Sequence, residues 1–403
     1  MIVEALTRLT QVALRGAPHR EMKSGPRYHW IRFLRRFPGY YETLWRTRPR
    51  VAEHRLVQVH LEPTNLCNLR CVGCTNPRQT APTGMMPLAH AREVIDQALA
   101  AVGPTCILGF YIRGESTLHP ELAEMIRYAR DRGFRRLLLS SNVARIREEQ
   151  AEAVFAAGLS ELRLSIDGAD AATFERIRLG ASFAQVEENV AMLDRVRRRL
   201  GADVFFRLHA ALDAAGFRTI PRIYRKFHHV VQRFVFTALV NQGGLFAQPD
   251  ARSLSRMRFA VSTRFQLPCR LLFDYAGVTW DGKVTSCCVD YSDHFVVGRL
   301  EDGIAAAFGG QGADQLREAH LRGDLDPLCA RCGFSNALVD WFEDEVNLHV
   351  EKHGVDLGDP RRDARFERFL DLAVSKFDAL ADAAEARARS DAPRKEEAGG
   401  CSS

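Results

Sequence analysis

A chain of 403 residues, 46% hydrophobic and 26% charged, has room for one large α/β domain plus a smaller module. Its net charge of +6, from 56 Lys and Arg against 50 Asp and Glu, is too mild to mark a nucleic-acid binder and suits an anionic small ligand. No apolar run is long enough to span a bilayer, and Glu4, Arg8 and Gln11 break up the first fifteen residues before a signal-peptide core can form. A cytoplasmic protein is expected, in which the ten cysteines serve as metal ligands or buried thiols rather than disulfides.

Residues 1–55 form a basic, aromatic extension. Trp30, Phe33, Phe37, Tyr40, Tyr41 and Trp45 alternate with arginines but show no long amphipathic repeat, so packing against the next domain is favoured over a membrane surface. From residue 56, short apolar runs alternate with helical segments. Strands are expected at 56–61, 107–112, 137–141, 162–166, 204–208 and 234–239, with helices at 88–102, 120–132, 146–157, 183–200 and 219–228. This rhythm implies an α/β fold with parallel strands and crossover helices. Six units fall short of the eight in a closed barrel, so a partial (β/α)6 TIM-like barrel is predicted, with its chemistry at the carboxyl ends of the strands. The domains expected are a core over 56–250, a Cys-rich module of β-hairpin and helix over 251–340, a helical segment over 341–383 and a disordered tail over 384–403. Within the module, 275–286 reads as a hairpin turning at Asp281-Gly282.

The strongest local signal is Cys67-Asn-Leu-Arg-Cys71-Val-Gly-Cys74, on the loop after the first strand. Three thiolates this close suit an iron–sulfur cluster, and three ligands for four irons leave one coordination position open. The competing reading is zinc, which wants a fourth Cys or His, and His90 is far along the chain.

The spacing Cys-x3-Cys-x2-Cys resembles the signature of the radical S-adenosylmethionine superfamily. Three later segments resemble that family in order, each at a strand's carboxyl end: Arg113-Gly114-Glu115-Ser116, Ser140-Ser141-Asn142 and Leu164-Ser165-Ile166-Asp167-Gly168. The resemblance implies a [4Fe-4S] cluster on Cys67, Cys71 and Cys74 whose open iron chelates S-adenosylmethionine. One electron then cleaves the sulfonium to methionine and a 5′-deoxyadenosyl radical, which abstracts hydrogen from substrate. It also implies cofactor contacts from Gly114, Glu115, Asn142, Ser165 and Asp167, with Arg178 for the carboxylate. A carboxylate such as Glu115 is a sensible acceptor for the cofactor's ammonium. Two departures stand out. Arg113 replaces the family's first glycine, so a long cation is expected to enter the site or to alter a backbone contact. Gly73 stands where a bulky residue often covers the adenine.

A second group comprises Cys269, Cys287, Cys329 and Cys332. Gly282-Lys-Val-Thr-Ser-Cys287 and Cys329-Ala-Arg-Cys332 resemble the SPASM and shortened twitch modules that follow the barrel in one branch of the superfamily. A full module has seven cysteines. Here four imply one auxiliary [4Fe-4S] cluster, fully ligated and suited to electron transfer. Read without the resemblance, a four-cysteine zinc site is an equal alternative. Cys106 is expected to be a buried, inert thiol. Cys288, next to a ligand, faces the active site, points away, or serves as an alternative ligand.

Single-cluster twitch enzymes of similar layout include alcohol dehydrogenases of aminocyclitols. The leading expectation is an oxidoreductase acting on an alcohol carbon of a sugar- or cyclitol-like small molecule. Asp290, Arg207 and Cys288 are the catalytic candidates; Tyr291, His209 and Arg252 are further candidates for base or substrate contact. The resemblance also implies a flavodoxin- or ferredoxin-type electron donor. The alternatives are a radical epimerase with Cys288 returning hydrogen, a peptide-modifying maturase, and a non-enzymatic zinc protein.

Overall fold

In the computed structural model, residues 56–239, 268–330, 332–335, 337–353 and 360–390 are described; the N-terminal extension, Arg252 and the C-terminal tail expected from sequence lie outside them. The alternation of strand and helix read from the sequence is realised as β1 Gln58–Leu61, α1 Leu88–Val102, β2 Ile107–Phe110, α2 Leu122–Asp131, β3 Arg136–Ser141, α3 Glu148–Ala156, β4 Glu161–Ser165, α4 Phe183–Arg199, β5 Phe205–Leu212, α5 Ile220–Phe227 and β6 Arg233–Ala238. β1 to β6 pair in sequence order, all parallel. The result is the expected partial barrel with helices on its outer face.

Side chains alternate along each strand. Val59 and Leu61 of β1, Leu108 and Phe110 of β2, Leu162 and Leu164 of β4 and Phe206, Leu208 and Ala210 of β5 are fully buried and share one core with Val94, Ile95 and Ala98 of α1 and Val186, Val190 and Leu193 of α4. Each such residue contributes about 1.5–3 kcal/mol of burial free energy. The other parity faces the concave interior and is polar or small: His60 on β1 and Glu62 just after it, Gly109 on β2 and Tyr111 just after it, Glu161, Arg163 and Ser165 on β4, Arg207 and His209 on β5.

The second module does not stand apart from the barrel. β7 Tyr275–Val278 pairs in parallel with β1, with Gln58 opposite Tyr275 and Leu61 opposite Val278. β8 Lys283–Thr285 and β9 Val296–Arg299 then follow antiparallel, completing the sheet order β6-β5-β4-β3-β2-β1-β7-β8-β9 among the described residues. The hairpin turns at Gly282, whose φ of +83° is readily adopted only without a Cβ. Sequence predicted this hairpin but not its partner, because pairing between residues about 217 apart leaves no local trace. Helices α6 Ile304–Gly309 and α7 Gln311–Arg322 pack beside the hairpin.

The opposite edge, β6, is covered by α8 Ala337–His353. Asn347 accepts from the Phe236 amide at 2.9 Å and donates to its carbonyl at 2.7 Å, while Glu343 accepts from the Ala238 amide at 2.7 Å. Side chains thus replace the missing strand and satisfy an edge that would otherwise be open to pairing. α9 Pro360–Ser390 packs on α8 through Phe377, whose ring meets Phe342 edge-on. Among the described residues, no helix is long and apolar enough to cross a membrane.

Candidate active site at the barrel mouth

The first three cysteines lie on the loop that leaves β1, at the carboxyl end of the sheet. Two backbone hydrogen bonds clip this loop to the segment after β4: Arg70 N–H donates to Leu179 O at 3.0 Å and Val72 N–H to Ile177 O at 2.8 Å. Buried Asn65 and Asn76 brace it from below. Asn76 Nδ2 donates to Asn65 O at 2.7 Å and to Arg113 O at 3.1 Å, and Asn65 Oδ1 accepts from Gly84 N–H at 3.0 Å. Gly73 has φ +80°, and a Cβ there would meet Leu239 Cδ1 at 2.7 Å. Leu239 occupies the space that a bulky residue 73 would need.

Cys67, Cys71 and Cys74 are free thiols with partial exposure. Burial, with the nearby charges of Glu115, Cys71 and Cys74, pushes the Cys67 thiol up to about 12. Burial likewise raises Cys71, against the opposing pull of Arg178. With both thiols raised, Cys67 and Cys71 belong to a donor set that a bound metal group would help to ionise. Among the described residues, no three His, Cys, Asp or Glu side chains are drawn together tightly enough to hold a single ion. Three thiol donors of this kind suit iron in a cluster as well as zinc.

The segments after β2, β3 and β4 line the mouth. At Gly114 a Cβ would fall 2.2 Å from Thr64 O and 2.5 Å from Leu66 O, so backbone lies flush on the cysteine loop and Glu115 N–H reaches Leu66 O at 2.8 Å. Glu115 is 3% exposed; its oxygens accept from Thr117 Oγ1 at 2.7 Å and from Asn142 N–H at 2.7 Å. Asn142 Nδ2 donates to Asn68 Oδ1 at 3.0 Å and stands 4.0 Å from Cys67 Sγ. Ser165 ends β4 opposite His209. Asp167 accepts from Ala211 N–H at 2.7 Å and pairs with Arg178 Nε. Arg178 Nη1 lies 4.0 Å from Cys71 Sγ. Burial opposes its charge, but Asp167 and Cys71 hold its proton above the usual guanidinium range. Gly114, Glu115, Asn142, Asp167 and Arg178 are therefore gathered around the three thiols.

Arg113 corrects its expectation. Its side chain does not enter the mouth. It is 4% exposed and grips Glu62 through Nε at 2.8 Å and Nη2 at 2.8 Å, with Nη1 on Asp293 at 2.9 Å. Asp293 also holds Lys283 Nζ at 2.6 Å, and Glu62 accepts from Trp280 N–H at 3.2 Å. A buried ionic knot thus ties β1, β2 and the hairpin module together. The sequence signal was an arginine in a glycine's place; its partner 180 residues away was not legible.

The second cysteine group is held by two local turns and one long-range contact. Cys332 N–H donates to Cys329 O at 3.1 Å, Cys287 N–H to Thr285 Oγ1 at 3.2 Å, and Cys269 N–H to His320 Nδ1 at 3.3 Å. Burial pushes Cys329 up to about 12, with Cys269, Asp326 and Cys332 adding repulsion. Cys287 is raised well above the ordinary thiol range by burial, then by Cys288 and Cys269. Cys288 is pushed to about 12 by burial and by Cys269 and Cys332, and its charge is also felt by Tyr111, Tyr275 and Tyr291. It stands between the auxiliary thiols and the aromatic wall of the barrel. Four thiol donors suit an iron–sulfur cluster or a zinc ion. Cys106 is fully buried, as expected of an inert thiol.

Two further expectations meet a different geometry. Asp290 accepts from the backbone amides of Ser292 at 3.2 Å, His294 at 2.9 Å and Phe295 at 2.6 Å. A carboxylate engaged by three amides shapes the loop. Arg207 is bound to Glu161 at 2.9 Å, and burial lowers it only to about 10, so it stays a cation at neutral pH rather than a base. Sequence reasoning missed Tyr291's position. Its hydroxyl lies 3.9 Å from Cys74 Sγ, so the segment that follows Cys287 reaches the first cysteine trio.

Residues 61–207 match the family model for the radical SAM superfamily, and residues 269–333 match SPASM, an iron–sulfur cluster-binding domain. The chain is 30% identical over 165 residues to the AdoMet-dependent heme synthase of Methanosarcina barkeri, covering 40% of this chain and 44% of that protein. It is 30% identical over 119 residues to the PqqA peptide cyclase of Rhodopseudomonas palustris, covering 30% and 31%. It therefore spans less than half the length of these curated relatives. Among solved structures, Streptococcus suis SuiB bound to precursor peptide SuiA superposes with a TM-score of 0.54 at 11% identity, over 77% of this chain and 76% of that one, a likeness of fold. With its three-cysteine loop leaving the first strand of a partial barrel and a cysteine module built onto that strand, the chain carries a radical SAM domain followed by a SPASM iron–sulfur cluster-binding domain.

Proposed function

We propose that Cys67, Cys71 and Cys74 hold a [4Fe-4S] cluster with one iron left for S-adenosylmethionine, and that Cys269, Cys287, Cys329 and Cys332 hold an auxiliary [4Fe-4S] cluster. When bound and reduced, the first group supplies the electron that cleaves the sulfonium and yields a radical able to take hydrogen from a carbon. Glu115 and Asn142 orient the cofactor's amino end, and Arg178, fixed by Asp167, faces its carboxylate. The protein's own contribution is this positioning. Oxidation of an alcohol carbon in a sugar- or cyclitol-like molecule is the reaction favoured. The observation carrying it is the contact of Tyr291 with Cys74 at 3.9 Å, which brings the four-thiol module beside the radical centre, where an electron acceptor is required.

Anaerobic reconstitution tests this: about eight irons and eight sulfides per chain are expected if both sites carry four-iron clusters, with 5′-deoxyadenosine on reduction. Cys71→Ala abolishes that cleavage, whereas Cys329→Ala retains part of it. A protein that takes up zinc and refuses iron would overturn the reading. The position of Cys288 between the auxiliary thiols and Tyr111 and Tyr275 supports a second reading, epimerisation with Cys288 as hydrogen donor. Solvent deuterium entering a carbon position distinguishes it from net oxidation. A peptide substrate, as the names of the cyclase relative and of SuiB suggest, is the third.

A further inference from the structure

Below the mouth, the concave face of the barrel carries a layer of positive charge that none of the roles above uses. Arg163, Arg207 and Arg233 stand at paired register positions on β4, β5 and β6. Adjacent strands lie about 4.8 Å apart, so three guanidinium-bearing residues neighbour one another. Glu161 lies 2.9 Å from Arg163 Nε and 2.9 Å from Arg207 Nη2. Burial, with repulsion from Arg163 and Arg233, pulls Arg207 down to about 10.

Two polar atoms at this layer, Arg207 Nε and His60 Nε2, have no hydrogen-bond partner, and neither has the Tyr275 hydroxyl, which lies beside Gly277. Their residues are 9%, 7% and 1% exposed. His60 lies between the Tyr111 ring, at 4.6 Å, and the Tyr275 ring, at 5.0 Å. The Tyr111 hydroxyl meets Arg163 Nη1, passing over β3 from β2 to β4, which places the group inside the concavity. Leaving a buried polar atom unmet costs about 1–3 kcal/mol, and Arg207 Nε can only donate, so the cluster has the form of a site awaiting an acceptor. It lies two residues, about 7 Å, below Ser165 and His209, on the side of the mouth away from the cysteine loop.

We propose that this arginine layer is the substrate subsite and that the substrate carries an anionic group, a carboxylate or a phosphate, gripped by Arg207 with Arg163. The proposal rests on the reading that the cofactor sits at the mouth above. It narrows the substrate class: an acidic or phosphorylated polyol matches the layer, while an ammonium would meet guanidinium charge there.

The test is calorimetric titration of the iron-loaded full chain, without S-adenosylmethionine, using succinate and, separately, inorganic phosphate at constant ionic strength set with chloride. Saturable binding of one or both is expected, weakened at least tenfold in Arg207→Gln and in Arg163→Gln. Arg207→Lys, which keeps the charge but loses Nε, is expected to fall between. Tighter succinate binding assigns a carboxylate, and tighter phosphate binding a phosphoryl group. Neither anion binding better than chloride, or wild-type affinity in folded Gln variants, would overturn the proposal. Anion binding needs no turnover, so failure to make 5′-deoxyadenosine would sink the catalytic reading without touching this result, and the converse also holds.

Discussion

Replacing Arg113 by Met removes the hub of the knot between barrel and module while keeping a side chain of similar length. Glu62 is completely buried and would lose its two contacts at 2.8 Å, keeping only the amides of Arg113 and Trp280, each at 3.2 Å. Asp293 would keep Lys283. Orphaning one member of a buried pair costs about 3–5 kcal/mol, mostly the desolvated charge left behind. At about 1.4 kcal/mol per decade, the folding equilibrium shifts by roughly two to three and a half decades. Urea denaturation of the iron-loaded protein, followed by circular dichroism, reads this as a lower midpoint. The double variant Glu62→Gln/Arg113→Met is expected to recover much of the loss, because no charge is left unpaired. A single variant within about 1 kcal/mol of the wild type, or a double variant no better than the single, would refute the reasoning.

Gly114→Ala drives a Cβ to 2.2 Å from Thr64 O and must push the cysteine loop away, so iron loaded at the first site is expected to fall while Cys269, Cys287, Cys329 and Cys332 keep theirs. Metal analysis showing full iron in the folded variant would contradict this. Acid should also destabilise the barrel. His60 is held down to about 3 by burial and then Arg163, and His209 to about 4 by burial. Both pKa values lie below the unfolded value of about 6.5, so the unfolded chain binds the extra protons. Stability from these residues is complete above about pH 6.5 and is lost as pH falls toward 4. His60→Phe should flatten the pH dependence of the urea midpoint in that window; an unchanged slope would count against it.

The alternation of strand and helix was legible because it is local: period-two apolar runs and 3.6-period helices record which face meets the core. The cysteine spacings were legible because ligands on one short loop cannot avoid being neighbours. The Gly-Glu, Ser-Asn and Asp-Gly segments were legible through their order after successive strands. What escaped was every contact joined by the closure of the chain. Arg113 read as a cation at the mouth and proved to be the partner of Glu62 and Asp293. Asp290 read as a base and proved to hold a loop.

Sequence by itself determined the units of the barrel, the two sets of thiols and the segments that surround the first set, since each depends on residues within a few positions of one another. Tertiary structure alone decided that β7 would extend the sheet beside β1, that Tyr291 would reach Cys74, and that Arg163, Arg207 and Arg233 would share one layer. The physical reason is the same in each case. Strand register and sheet order set which distant side chains face one another, and that pairing is a property of the folded sheet rather than of any stretch of chain.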